Sequence, residues 1–235
     1  MGISIIAAGA AFTNKVDFLF PFAANLVGCW FFGGTAAQSV INRKTGLAQG
    51  SFLSAPTFLA NGFIADGPTA KYFDSGVAQA GAYTFAAVAA LPTTSARIVG
   101  MYDASTATIG THCVNSGSTS ITHSVANATR GTLNRSASVN SLAGQRATFA
   151  SFDGANALLA VYENGRPLAP AAFPTVSTPP ATFTFKAGGG NPASFTGGGV
   201  FNAAMLWNRA LTASEFDVVY TWLAAQMAAR GVTLG

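Results

Sequence analysis

Between about residue 25 and residue 207 the chain is written in short apolar runs cut by Gly, Pro, Asn, Ser and Thr. That rhythm predicts many short strands. Residues 83–91 show it in full. Tyr83, Phe85, Ala87, Ala89 and Leu91 fall on one face of an extended segment, and Thr84, Ala86, Val88 and Ala90 on the other. Both faces are apolar and the second is small, so the strand is expected to be covered on both sides, with a close neighbour over the alanines. That neighbour is the chain's own N-terminal segment, its C-terminal helix or another subunit. Residues 157–166 read as a hairpin turning at Asn164-Gly165, a pair suited to a tight two-residue turn. Residues 169–180 are rich in proline, which cannot donate to a sheet ladder, and read as a loop.

The period changes after residue 207. Residues 200–207 are apolar enough for a buried strand, and then Phe216, Val219, Tyr220, Leu223 and Met227 recur at the 3–4 spacing of one helix face. Thr212 and Glu215 spell a capping box, and Leu211 and Phe216 stand at the two positions of a hydrophobic staple. Gly231 follows Arg230 where a left-handed C-terminal cap belongs, and the arginine's charge suits a helix end. A closing helix is therefore expected over residues 213–230.

Residues 1–24 differ from the rest. They are apolar, with only Lys15 and Asp17 charged, and Val16, Phe18, Phe20 and Phe22 alternate so as to share one side of an extended arm. Such an arm needs cover, either as an extra edge strand on its own sandwich or from a neighbouring chain. We read it as an assembly anchor.

A strand ending Trp207-Asn208-Arg209-Ala210-Leu211-Thr212, with Glu215 and one closing helix after it, resembles the C-terminus of a concanavalin A-like, laminin G-type jelly roll. Residues 25–34 are similar to that family's opening strand, and Lys71-Tyr72-Phe73-Asp74 to the strand after its first long loop. Residues 83–91 resemble its next core strand, and 157–166 its Tyr-x-Asn-Gly hairpin. The likeness implies an all-β jelly-roll sandwich over residues 25–235, with an extended N-terminal arm over 1–24 and one C-terminal helix. Domains of this kind host many unrelated activities.

At 235 residues one large all-β domain is expected. Only 9% of residues are charged, against roughly 25% in an ordinary soluble domain. Half are hydrophobic, and the mean hydropathy is +0.38. So little charge implies either a surface covered by other subunits or entry into a membrane. The membrane fails on length: the run at 2–12 is about half of the roughly 20 residues a spanning helix needs, and 18–32 is broken by Pro21 and Gly28. No Lys or Arg precedes the first apolar run, so a secretory leader is not expected. The net charge of +4 is scattered. Arg130, Arg135 and Arg146 lack acidic neighbours in sequence and read as dispersed surface residues, without the clustered basic motif of a nucleic-acid binder. Cys29 and Cys113 are too few and too distant for a disulfide framework and fit a reducing compartment.

Catalytic patterns are sparse. Glycosidases of the concanavalin A-like superfamily carry paired carboxylates on one strand. Here Glu163 and Glu215 are the only glutamates, and Glu215-Phe216-Asp217 falls at a helix start. There is no Gly-x-Ser-x-Gly elbow. If 108–114 pairs with 119–125, His112 and His123 share a solvent-facing surface as diagonal neighbours, yet two histidines do not complete a structural zinc site. No catalytic, metal or cofactor residues are assigned. Jelly rolls of the resembled family often bind sugar through loops, which makes Tyr102, Asp103, Asn115 and Asn127 the candidate glycan-facing residues, with Asn134 and Asn140 further candidates.

The resemblance, the arm and the charge-poor composition together point to a non-enzymatic bacteriophage virion protein. The expected place is a head decoration, head fibre or tail component, with other virion proteins and further copies of this chain as partners. The alternative is a carbohydrate-binding, lectin-like module that recognises a host cell-surface glycan. No nucleic acid, membrane or cofactor is expected in either case.

Overall fold

The computed structural model describes residues 19–44, 46–66, 71–78, 81–90, 95–102, 110–116, 120–127, 131–138, 144–174, 183–189 and 197–235. For 116, 125–127, 131–135, 137 and 168–174 it describes the backbone only. The described strands form two antiparallel sheets facing each other as a β-sandwich. Sheet A runs β13 (Arg166–Pro174), β12 (Asn156–Glu163), β11 (Arg146–Phe152), β6 (Tyr83–Ala90), β15 (Gly199–Trp207), β4 (Gly62–Ala65) and β3 (Thr57–Leu59). Strand β1 (Leu26–Phe31) pairs with the second half of β15, on the edge that β4 uses for the first half. Sheet B runs β10 (Gly131–Ser138), β9 (Ser120–Asn127), β8 (Gly110–Ser116), β7 (Ser95–Tyr102), β14 (Thr184–Ala187), β5 (Tyr72–Ala78) and β2 (Ser51–Leu53). Two late strands, β14 and β15, thus lie in the middle of their sheets, between strands made much earlier.

Strand β6 behaves as its sequence requires. Tyr83, Phe85, Ala87 and Ala89 join the core between the sheets, with Trp30, Phe32, Phe63, Phe73, Phe185 and Phe201. Ala86 and Val88 face outward into a second core beneath the helix α2 (Ala213–Ala229). Ala147, Ala160 and Ala203 extend that small-residue floor across β11, β12 and β15, and Phe216, Val219, Leu223 and Met227 of α2 are buried on it. The close neighbour over the alanines is the chain's own helix.

The start of α2 carries the complete capping box, Thr212 accepting from the Glu215 N–H and Glu215 from the Thr212 N–H. Its end is a Schellman turn. Gly231 adopts φ 75°, while the Val232 and Gly231 N–H groups donate to the carbonyls of Met227 and Ala228. Tyr220 is half-buried and stacks on Tyr162 at 4.1 Å, so it sits at the margin of the interface.

Three expectations need correction. The proline-rich segment is strand as far as Pro174, because β13 is the outermost strand of sheet A and an edge strand tolerates missing N–H donors. Arg146 is no surface residue: it is buried and ion-paired with Glu163 at 2.8 Å. The alternating arm does not run on through Phe22, where the chain turns with φ 55° into a short 3-10 helix (Ala23–Asn25). Phe20 packs on Trp222 of α2, and Phe22 lies under the Arg209 guanidinium. These two rings are used on the chain's own helix, whereas Val16 and Phe18 lie outside the described residues.

Urea unfolding should rank the helix contacts. Thr212→Ala should cost about 0.5–2 kcal/mol by uncapping α2. Phe216→Ala, at a fully buried site, should cost about 3–5 kcal/mol. Tyr220→Ala should cost less than Phe216→Ala, and the reverse order would put Tyr220 rather than Phe216 at the centre of the interface.

Candidate functional site

The two sequence-chosen glycan residues whose side chains are described lie inside the molecule. Tyr102 ends β7 and is fully buried, its hydroxyl donating to the Gly188 carbonyl at 2.5 Å, and Asn115 of β8 is fully buried. Both fall within the ladder that joins β7 to β8. Asp103 lies outside the described residues, as does Asn140; Asn127 ends β9 and Asn134 lies in β10, both described by backbone alone.

Tyr102 belongs to a polar layer on the outer face of sheet B. Its ring lies 4.2 Å from the Arg97 guanidinium and 5.7 Å from the Lys186 ammonium. Lys186 pairs with Asp74 at 3.3 Å, and Thr184 bridges the two. The register sets Asp74, Lys186, Gly100, His112 and Ser124 in one row across five strands. Burial and the Arg97 charge drive the His112 pKa well below the usual imidazole value.

The two histidines do not share a face. His112 stands opposite Ser124 and His123 opposite Cys113, so adjacent registers send them to opposite sides of sheet B. Both are buried. His123 meets the edge of Phe85 and lies 3.2 Å from the Thr111 hydroxyl, and burial lowers its pKa to about 3.

The described carboxylates have structural partners. Glu163 pairs with Arg146, Glu215 with Arg209 and the helix cap, and Asp217 accepts from the Tyr162 hydroxyl at 2.5 Å. Asp74 pairs with Lys186, and Asp153 accepts turn N–H groups that hold its pKa below the usual carboxylate range. Among the described residues the partners of Glu163 and Glu215 are arginines and helix-start groups.

A cleft of about 290 Å³ lies where β1, the β3–β4 turn and the end of α2 meet, and it was not singled out from the sequence. Phe31, Gly33, Gly34, Gln38, Ile41, Arg43, Ala60, Asn61 and Arg230 line it. Gly33 builds one wall. It has φ 125° and lies so close to Ala60, Asn61 and Gly62 that a Cβ would come within 2.7 Å of their backbone. A four-residue helix, α1 (Ala36–Ser39), follows with its own capping box, in which Gln38 Oε1 accepts from the Thr35 N–H. The Thr35-x-x-Gln38 spacing was the available sequence signal for that turn. Asn42 then bolts the loop to the free edge of β1, taking the Cys29 N–H and donating to the Val27 carbonyl. Arg43 N–H donates to Cys29 O at 2.8 Å. From the other side Arg230, at the C-cap of α2, donates to the Phe32 carbonyl at 2.6 Å, its guanidinium 5.4 Å from the Phe31 ring.

No family model matches the chain, and no curated protein matches its sequence. Solved structures match it in fold. The receptor-binding domain of botulinum neurotoxin type G superposes with a TM-score of 0.65 at 12% identity, over 85% of this chain and 52% of that one. The binding domain of botulinum neurotoxin DC, in complex with SialylT, gives 0.59 at 8% identity, over 86% and 52%. Trypanosoma rangeli sialidase gives 0.62 at 16% identity, over 87% and 33%. The fold is a β-sandwich of the kind these structures share. This chain spans about half the length of the neurotoxin domains and a third of the sialidase.

The buried histidines make stability depend on pH. Near pH 7 both are neutral, and below about 6.5 the unfolded chain binds protons that the folded chain refuses. For His123 stability is therefore lost as pH falls from about 6.5 towards 3, by up to about 1.4 kcal/mol per pH unit, and His112 acts in the same direction. Melting curves at pH 7 and pH 5 should show a drop that shrinks in His123→Gln. An equal drop in both proteins would show that His123 is protonated in the fold.

Proposed function

We propose that this chain is a non-catalytic, lectin-like module that recognises a carbohydrate. The observation that carries the reading is the lining of the cleft. Hydrogen-bonding side chains from Gln38, Arg43, Asn61 and Arg230 surround an aromatic and an aliphatic wall, Phe31 and Ile41, with no carboxylate among them. Polar groups flanking an apolar surface hold and orient a sugar ring, while a lining without a carboxylate offers no general acid for a glycosidic oxygen. The volume is at the lower end of the roughly 300–1,000 Å³ typical of small-ligand sites, which suits one sugar residue better than a long chain. The sandwich supports the same reading, since one of its structural neighbours is a toxin binding domain in complex with SialylT.

A second reading, attachment to a virion through the N-terminal arm, is favoured by the charge-poor composition. The two are compatible in a receptor-binding fibre whose arm joins virion partners and whose sandwich meets the host glycan.

A glycan array probed with the purified chain should retain it on a defined subset of glycans, and Asn61→Ala should weaken that retention. The same preparation should release no reducing ends, with or without Glu163→Gln and Glu215→Gln. Hydrolysis abolished by either glutamate change would overturn the non-catalytic reading, and uniform failure to bind would overturn the lectin reading.

A further inference from the structure

Within the proposed lectin-like reading, on which this inference rests, we infer that the cleft is an oxyanion subsite for the carboxylate, phosphate or sulfate of an acidic sugar. Two guanidinium groups, Arg43 and Arg230, line it together. The Nε of each is buried and has no hydrogen-bond partner. Among the described residues no Asp or Glu lines the cleft, and the acids that pair with cations elsewhere belong to Arg146, Lys186 and Arg209.

Two like charges held at one cleft repel each other, and no described carboxylate neutralises them there. Burial and the Arg43 charge both pull the Arg230 pKa below the usual arginine value. The remaining polar lining adds donors. Gln38 spends its Oε1 on the Thr35 N–H, which leaves its amide NH2 to donate. A site rich in N–H groups and poor in acceptors suits an anion, and planar guanidinium forks match carboxylate and phosphate oxygens in pairs.

The two arginines are also positioned in advance. Arg230 is held by the Phe32 carbonyl and the Phe31 ring, at the end of a helix anchored over its whole buried face. Arg43 is placed by its own N–H on Cys29 and by the Asn42 side chain next to it, which spans from the Cys29 N–H to the Val27 carbonyl. An anion entering the cleft meets donors already in place, so little ordering is lost on binding.

Calorimetric titration of the intact chain with glucose, glucuronate, glucose 6-phosphate and inorganic phosphate tests this. Glucuronate or glucose 6-phosphate should bind about 10- to 100-fold tighter than glucose, the range a charge-assisted contact carries. Raising the salt should weaken the acidic sugars and leave glucose unaffected. Arg43→Gln should erase the preference at an unchanged melting temperature, and Arg43→Lys should restore only part of it. Equal binding of glucose and glucuronate would overturn the oxyanion subsite and leave the lectin reading standing. Inorganic phosphate binding as tightly as glucose 6-phosphate, with no gain from the sugar, would keep the anion site and overturn the lectin reading. Silence from every probe would overturn both. If Arg43→Gln fails to fold, the salt dependence of the unaltered chain decides.

Discussion

The close approach of α2 to a floor of small residues organises one whole side of this molecule. Ala86, Ala147, Ala160 and Ala203 leave room for Phe216, Val219, Leu223 and Met227 to reach the sheet, and Phe149, between Ala86 and Ala160, stacks on Phe216. Apolar burial there contributes about 1.5–3 kcal/mol for each large side chain, far more than the helix's own propensity. The link between sheet and helix is fixed as well. The Thr84 hydroxyl donates to the Arg209 carbonyl and accepts from the Leu211 N–H, so the central strand β6 holds both sides of the handover. Once α2 is seated, its C-cap residue, Arg230, is carried to the cleft beside Arg43. Packing on one face of the sheet thus sets the electrostatics at its edge.

Among the described residues three ion pairs tie elements together. Arg146 with Glu163, Lys186 with Asp74 and Arg209 with Glu215 each hold a strand or helix junction. In a chain with 9% charged residues, this makes two neighbouring arginines at one cleft stand out. The polar layer outside sheet B is different in kind: Arg97, Tyr102, His112 and Lys186 are buried against one another and serve the fold.

The fold was legible where period and capping agreed. The two-faced β6, the Asn164-Gly165 hairpin and the capping box at Thr212 each encode a local geometry that tertiary packing then used. Side-chain exposure was less legible. Tyr102 and Asn115 look like loop residues because they stand beside Asp103 and Ser116, yet strand register buries both. The histidine pair failed for a related reason, since a shift of one position in a ladder sends a side chain to the opposite face. The cleft was not legible at all. Arg43 and Arg230 are separated by almost the whole chain, and they meet only because β1 and the end of α2 pack on the same sheet. No local pattern encodes that meeting.

The most direct test of the account is the arginine side-chain NMR spectrum of the folded protein during titration with methyl glucuronide. The Nε–H signals of Arg43 and Arg230 should shift together and saturate with one affinity, while those of Arg97 and Arg146 stay in place. Shifts confined to Arg97 and the outer face of sheet B, with Arg43 and Arg230 unmoved, would contradict it and move the binding site to the other sheet.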